Sequence, residues 1–180
     1  MTISVENFRG DTYYLHSRLT KKGNISYHFS KKAEGAAVID EIPSGFEIYE
    51  EPNGKLYLRK KTRQHIHDDE YRLINEGMRK YSNIEDFKID VKKNVVYIYL
   101  VENSFEHDLI PTHLIDKNKQ YETPLRFILN DEEERRFEVE RFCYLGGIDD
   151  WIYLDGPADL ESLIREYIQH LGKESFYELI

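Results

Sequence analysis

Apolar and polar residues alternate along Thr12–Ser30, and a period of two predicts a β-hairpin there. We expect a three-residue turn at Lys21–Gly23, with Gly23 in the left-handed conformation of a bulge. A two-residue turn would mix apolar with polar residues, so the longer turn is favoured. The longer turn aligns four apolar side chains on one face, which we predict to point inwards: Leu15, Leu19, Ile25 and Phe29.

Two further segments alternate in the same way. In 45–61, a loop at Pro52–Gly54 places Ile48 opposite Leu58, and on the other face it places opposite charges and two tyrosines side by side. In 86–102, pairing Val91 with Val96 leaves apolar residues on both faces. We therefore expect this third hairpin to be covered on both sides and to lie centrally in a sheet.

Helical periodicity is present in two places. Asp68 or Asp69 is predicted to cap the first helix, whose apolar positions recur every three or four residues, although Gly77 in its interior disfavours the assignment. The second helix is predicted to begin at Pro157 and to stop at Gly172. The apolar face of the first helix contains Tyr71, Ile74, Met78 and Tyr81.

Two segments have weaker patterns. Residues 102–123 are polar and predict an extended connection with one short strand. The acidic run Asp131–Glu134 predicts one helical turn that leads into a strand, with a continuous helix over 131–142 as the alternative. In the strand interpretation, Cys143 shares a face with Phe137, Val139 and Leu145 and is predicted to be buried and inert.

Together these elements predict an α+β fold. We expect a mainly antiparallel sheet built from three or four β-hairpins, with two α-helices packed on one face. The 180 residues fit a single domain, 1–180, with a soft boundary near 62–67 between a basic hairpin lobe and an acidic α+β lobe.

Composition adds a cellular setting. A single cysteine is typical of a reducing compartment, and neither a signal peptide nor an apolar run of about 20 residues is visible, so a cytoplasmic protein with no membrane partner is expected. The net charge of −9 disfavours broad nucleic-acid binding. Residues 1–63 are net basic, however, which leaves a local anion-binding face open.

The candidate site lies on the polar face of the first hairpin, where His16 faces His28. Two imidazoles on paired strands suit an anion, a nucleic acid or a metal ion, while two histidines exposed to solvent are the simpler interpretation. The candidate residues for an anion or nucleic-acid face are Tyr14, His16, Arg18, Lys21, Lys22 and His28.

Other clusters carry weaker signals. His65 and His67 precede Asp68 and Asp69 without matching a specific metal spacing, and helix capping explains the aspartates. Carboxylates that bind Mg²⁺ are a further possibility, although solvated turns explain the same residues. We assign no metal or cofactor site. These carboxylates are Asp131–Glu134, Asp149, Asp150 and Asp155.

The last residues remain apolar, and an exposed apolar end is a liability. They are expected to pack on the domain, on a protein partner or on a second copy of the chain. These residues are Phe176, Tyr177, Leu179 and Ile180.

The segments "GFEIYEEPNGKLYLRKK", "RFCYLGGIDDWIYLDGPADLESLIREYIQHLGKESFYELI" and the hairpin "YYLH…YHFS" resemble an uncharacterised family of bacterial proteins over most of the chain. The resemblance implies a bacterial, cytosolic setting, and it carries over no activity, ligand or catalytic residue to this chain.

The common catalytic motifs for phosphate loops, nucleophile elbows and zinc proteases do not occur in the sequence. The sequence therefore favours a non-catalytic binding or interaction module, because surface tyrosines suit partner contacts. Local nucleic-acid or phosphate binding by the basic hairpins is the alternative, and a metal-dependent hydrolase is the third possibility.

Overall fold

The computed structural model describes residues 1–102, 119–144 and 149–180. These residues form ten β-strands in antiparallel sheets and two α-helices, so the predicted α+β class is confirmed. They divide into two compact units, the first comprising Met1–Thr62 with Lys119 and the second comprising 63–102, 120–144 and 149–180. The assignment to a single domain stays a prediction. None of the described helices is long and apolar enough to cross a membrane.

The first unit contains two small antiparallel sheets. Strands β1 (Ser4–Glu6), β2 (Thr12–Leu19) and β3 (Ile25–Ser30) form one sheet with β2 in the middle. Strands β4 (Phe46–Glu50) and β5 (Leu56–Lys60) form the other. The predicted registers of both hairpins are confirmed, including the pairs Leu15–Phe29, His16–His28, Glu47–Arg59 and Ile48–Leu58.

A buried asparagine organises the turns of this unit. The Asn7 side-chain amide donates to the Gly54 carbonyl over 2.6 Å. Its Oδ1 accepts the main-chain N–H groups of Arg9 at 3.0 Å and Asp11 at 2.8 Å. Because Asn7 is buried, these bonds replace the water that its amide loses on folding.

The second unit contains a five-stranded antiparallel sheet in the order β10-β9-β8-β7-β6. The third predicted hairpin has the expected register, with Val91 opposite Val96. Its first strand lies at the sheet edge, so the prediction of a central hairpin is wrong. Strand bounds are β6 (Phe87–Lys92), β7 (Val95–Val101), β8 (Tyr121–Asp131), β9 (Arg136–Tyr144) and β10 (Asp149–Asp159).

The acidic run connects β8 to β9 as a hairpin turn. The Asp131 carboxylate accepts the main-chain N–H groups of Glu133 and Glu134, both at 2.9 Å. Arg135 adopts a left-handed φ of 50°. Both the predicted helical turn and the alternative continuous helix are therefore wrong. Of the predicted extended connection, 103–118 lies outside the described residues.

Helix α1 (Asp68–Tyr81) is confirmed, with Ile74 and Met78 buried and Tyr81 partly buried against the same core. Tyr71, predicted on the apolar face, is instead 39% exposed. The capping prediction is also wrong: His67 occupies the N-cap position, and its main-chain N–H donates to the Glu70 carboxylate over 2.8 Å.

Helix α2 (Leu160–Tyr167) begins later than predicted, because Pro157 lies in strand β10 and Asp159 is the N-cap. Two short 3₁₀ helices follow, Ile168–His170 and Glu174–Glu178. The predicted stop at Gly172 lies between them, with a φ of 75°.

Both helices cover one face of the five-stranded sheet. The C-terminal residues divide between core and solvent: Phe176 is buried and Leu179 is partly buried, whereas Tyr177 and Ile180 are exposed. Cys143, predicted to be buried, is only half-buried, and Leu145 lies outside the described residues. The sheet contributes Val96, Ile98, Leu125, Phe127, Leu129, Phe137 and Val139 to the core, and the helices contribute Ile74, Met78, Leu160, Leu163 and Ile164.

Candidate functional site

The candidate site is built on the turn between β2 and β3. Gly23 has a φ of 77°, and its N–H donates to the Thr20 carbonyl over 2.9 Å. The Thr20 N–H in turn donates to the Asn24 carbonyl over 2.8 Å. A residue with a Cβ is strained at this φ, so glycine sets the register that brings the two histidines together.

The imidazole rings of His16 and His28 stack, with centroids 5.3 Å apart and an interplanar angle of 25°. His16 is half-buried, and its Nε2 lies 2.8 Å from the Lys32 carbonyl oxygen. Because a carbonyl accepts, Nε2 is the protonated donor nitrogen of this bond. His28 is exposed, as predicted, whereas exposure of His16 was predicted wrongly.

The distal part of the hairpin is exposed on both faces. Every residue from Ser17 to Ile25 is exposed, and we call this run the tip. Leu15 is completely buried, yet Leu19 is 76% exposed and Ile25 is 59% exposed. The prediction that these two side chains point into the core is wrong, because the core of this unit lies beneath Leu15 and Leu19 lies about 13 Å further along the strand.

The charge of the hairpin has one sign. Residues 12–33, which we call the basic hairpin, contain five Lys or Arg residues and no Asp or Glu. Because the whole chain carries −9, the residues outside the basic hairpin carry −14. The opposite signs make the basic hairpin a local site for negative charge on an acidic protein.

One of these cations is already paired. Lys31 lies 2.8 Å from Asp11, and this hydrogen bond raises the pKa of the Lys31 ammonium above its ordinary value. In contrast, no salt bridge found in the described parts of the chain includes Arg18, Lys21 or Lys22. The cations at the tip therefore keep their charge directed towards solvent.

All six predicted site residues belong to this hairpin. Tyr14 and His16 are half-buried near its base, and the other four are exposed. One face of β2 carries every second residue, including Tyr14, His16 and Arg18. These three side chains form a row about 13 Å long. Sequence analysis overlooked Leu19 and Ile25 as exposed residues, because alternation gives the face of a side chain without the depth of the core beneath it.

A cation–aromatic ladder occupies one face of β4 and β5. Arg59 donates to Glu47 over 2.8 Å, and its guanidinium lies 4.0 Å from the Tyr49 ring centroid. Tyr49 stacks on Tyr57 at 6.3 Å, and the Lys55 ammonium lies 4.9 Å from the Tyr57 centroid. A hydrogen bond to Tyr57 raises the pKa of Lys55. Each charge of this ladder already has a partner within it.

His65, which precedes α1, belongs to an ionic network, whereas His67 is the N-cap of the helix. The side chain of His65 binds Glu132, and Arg135 binds the Glu70 carboxylate with Nε at 2.8 Å and Nη2 at 2.5 Å. Arg135 also donates to the His65 carbonyl over 3.0 Å. Across the described ranges, no three His, Cys, Asp or Glu side chains are grouped so that they could hold a metal ion.

Two further predicted carboxylates, Asp150 and Asp155, each have structural contacts of their own. Asp155 accepts the Tyr167 hydroxyl over 3.1 Å and the Gly156 N–H over 2.7 Å. Burial and then this bond to Asp155 raise the pKa of Tyr167 to about 12. Asp150 accepts the main-chain N–H of Trp151 over 2.8 Å.

A second cluster lies on the sheet face opposite the helices in the second unit. Arg126 donates to Glu140 over 2.7 Å, and its guanidinium lies 4.1 Å from the Trp151 ring centroid. Trp151 contacts Tyr97 and Phe142 edge-on, at 6.1 and 5.2 Å between centroids. Sequence analysis missed this cluster because its residues lie on four different strands, and the alternation within one strand does not give the register between strands. Its charges neutralise each other, so it carries no functional assignment.

No family model, curated protein or solved structure matches the chain. The predicted resemblance to a bacterial family therefore stays a prediction.

Proposed function

We propose that this protein is a non-catalytic binding module of the bacterial cytoplasm, and that the basic hairpin is the element that contacts an anionic partner. The observation that carries the proposal is the exposed, cationic tip on a chain of opposite charge. Arg18, Lys21 and Lys22 lie within nine consecutive exposed residues.

The energetics of the tip support a role in binding. A two-stranded ribbon without a covering layer is marginally stable, so the exposed tip adds little to the stability of the fold. Nearby lysines on such a ribbon also repel each other, because exposed like charges interact unfavourably. A negatively charged partner would remove this repulsion and bury exposed apolar surface at the same time.

Binding of a nucleic acid or another phosphate ligand is the second candidate function. It is favoured by the stacked pair His16–His28, which continues the row of polar side chains from Arg18 towards the base of the hairpin. The site would comprise the six predicted residues. Contacts of Arg18, Lys21 and Lys22 with three phosphates of a single strand predict a slope of about −2 for log binding constant against log salt concentration.

A charge-reversal experiment tests the proposed function. The variant Lys21→Glu/Lys22→Glu changes the tip, and Lys60→Glu/Lys61→Glu is the matched control, since it reverses two adjacent exposed lysines of the same unit. The probe is a fluorescein-labelled decaglutamate peptide, and fluorescence anisotropy at low salt measures its affinity. We expect the tip variant to lose at least tenfold in affinity and the control less than threefold.

Two results would contradict the proposal. One is an equal loss in both variants, which would show that net charge alone drives binding. The other is no measurable affinity of the unaltered protein for either decaglutamate or a 20-nucleotide DNA strand. Tighter binding of the DNA strand, with the predicted salt slope, would favour the second candidate function instead.

A further inference from the structure

Leu19 and Ile25 form an exposed aliphatic pair at the tip. They occupy directly facing positions on β2 and β3, and both are more than half exposed. Single exposed apolar side chains are ordinary on protein surfaces. Two large aliphatic side chains on directly facing positions place their apolar surfaces side by side, and exposed apolar surface beside charges suits a partner contact.

Two cations lie beside this pair, and a third lies on the other face of the hairpin. Lys21 and Lys22 lie in the turn that joins the two strands, and Arg18 precedes Leu19 on the opposite face of β2. Asp and Glu are absent from 12–33. A complementary surface therefore has carboxylates or other anions spaced around at least one apolar group.

We infer that the partner of the basic hairpin is a short acidic segment of a protein, with aliphatic side chains between its carboxylates that pack on Leu19 and Ile25. This inference rests on the proposed function and names the class of partner. The carboxylates pair with Lys21 and Lys22 in the turn, and the aliphatic groups cover the exposed pair.

The charge of the whole chain favours a short segment over an extended polyanion. A duplex or an anionic bilayer presents negative charge over a large area. It is therefore repelled by the net charge of −14 outside the basic hairpin while it is attracted to the hairpin itself. A short segment interacts mainly with charges within the Debye length, about 8 Å at physiological salt. It therefore meets the cationic tip with little repulsion from the rest of the chain.

The side chains of the tip also favour a protein partner. Single-stranded nucleic acids are bound by aromatic rings that stack on bases. The run Ser17–Ile25 contains no aromatic side chain, and its largest exposed apolar groups are Leu19 and Ile25. Aliphatic groups next to lysines match an acidic and apolar peptide better than they match bases.

Selection from a random peptide library tests this inference without assuming a sequence. The full-length chain is immobilised, and a phage library of random dodecapeptides is selected against it. We expect the enriched peptides to combine Asp or Glu with Leu, Ile or Val. Anisotropy of one labelled enriched peptide then measures its affinity for the unaltered chain and for three variants.

The variants separate charge from apolar contact. We expect the affinity for the peptide to fall at least tenfold in Lys21→Glu/Lys22→Glu and at least tenfold in Leu19→Ser/Ile25→Ser. In the control Lys60→Glu/Lys61→Glu, the affinity should change less than threefold. Because the substituted side chains are exposed, circular dichroism should show unchanged folding.

Each result has a separate meaning. Enriched peptides without acids, no enrichment at all, or equal affinity for Leu19→Ser/Ile25→Ser would overturn the inferred partner. Tighter binding of a 20-base-pair duplex or of phosphatidylglycerol vesicles would overturn it too, while leaving the proposed function intact if Lys21→Glu/Lys22→Glu weakens that binding. If charge reversal at the tip changes the binding of no probe, both proposals fail.

Discussion

His16 and His28 stack ring on ring across the first hairpin, yet only His16 is anchored. Its Nε2–H donates to the Lys32 carbonyl over 2.8 Å, whereas His28 is exposed. Two residues of the same type on facing positions therefore differ in what they contribute. His16 holds the chain after β3 against β2, and His28 presents its ring to solvent.

Replacing each histidine separately should expose this difference. We expect His16→Ala to lower the free energy of unfolding by about 0.5–1.5 kcal/mol, because it removes a hydrogen bond and leaves a main-chain carbonyl without its donor. His28→Ala is the matched control, and it should stay within about 0.5 kcal/mol of the unaltered protein. Urea unfolding followed by circular dichroism measures both. Equal losses would contradict the difference in burial.

The tip should tolerate truncation of its aliphatic side chains. We expect Leu19→Ala and Ile25→Ala each to change the free energy of unfolding by less than about 0.5 kcal/mol, because both side chains are exposed in the folded state. Leu15→Ala is the control on the same strand, and it should cost about 2–5 kcal/mol because Leu15 is completely buried. A loss at Leu19 as large as that at Leu15 would show that the tip is covered.

Gly77 allows helices α1 and α2 to approach closely. A Cβ at this position would lie 2.3 Å from Cγ2 of Ile164, which is itself buried. Alanine favours a helix over glycine by about 1 kcal/mol, but overpacking a core costs about 1–3 kcal/mol. We therefore expect Gly77→Ala to destabilise the second unit.

Fluorescence of Trp151, the single tryptophan, follows the unfolding of the second unit. Glu76→Ala is the control for Gly77→Ala, since it changes the adjacent, exposed position of the same helix and should be nearly neutral. A stabilised Gly77→Ala variant would mean that the two helices pack less closely than described.

The cap of α2 should make stability depend on pH. The Ser162 hydroxyl donates to the Asp159 carboxylate over 2.7 Å, and the Ser162 main-chain N–H donates to it over 2.9 Å. Both bonds lower the pKa of the Asp159 carboxyl, and the bond from the hydroxyl has the larger effect. A carboxyl with a lowered pKa stabilises the fold above its ordinary pKa, near 4, and loses that contribution as pH falls further. Asp159→Ala should cost about 1 kcal/mol at neutral pH, with a smaller difference at about pH 3.

Asp159→Asn is the matched control, because asparagine also caps helices and does not titrate in this range. Urea unfolding at several pH values, followed by Trp151 fluorescence, gives the comparison. A difference between Asp159→Ala and the unaltered protein that is as large at pH 3 as at neutral pH would contradict the role of the ionised cap.

Local patterns were enough to predict the three hairpin registers. Gly23 sets the turn, and the alternating residues that it aligns lie within about ten residues of it. The pairing of His16 with His28 therefore depends only on nearby sequence. The six candidate residues were placed on one hairpin for the same reason. The core-facing positions Ile74 and Met78 of α1 followed from its period of three to four residues.

Two of the wrong predictions share a cause. An acidic run is compatible with a helix start and with a tight turn, and only the pairing of β8 with β9 selected the turn. Pro157 suits a first helical position, but pairing with β9 extends β10 up to Asp159. In both places a contact between strands outweighed a local preference.

The sequence by itself determined which side chains share a face, because successive side chains of a strand point to opposite faces and the turn sets the register between the strands. Only the tertiary structure decided how far the core extends beneath each face. Leu15 and Leu19 lie on the same face of β2, yet one is buried and the other is exposed. Burial depends on residues distant in the chain, and alternation carries no information about them.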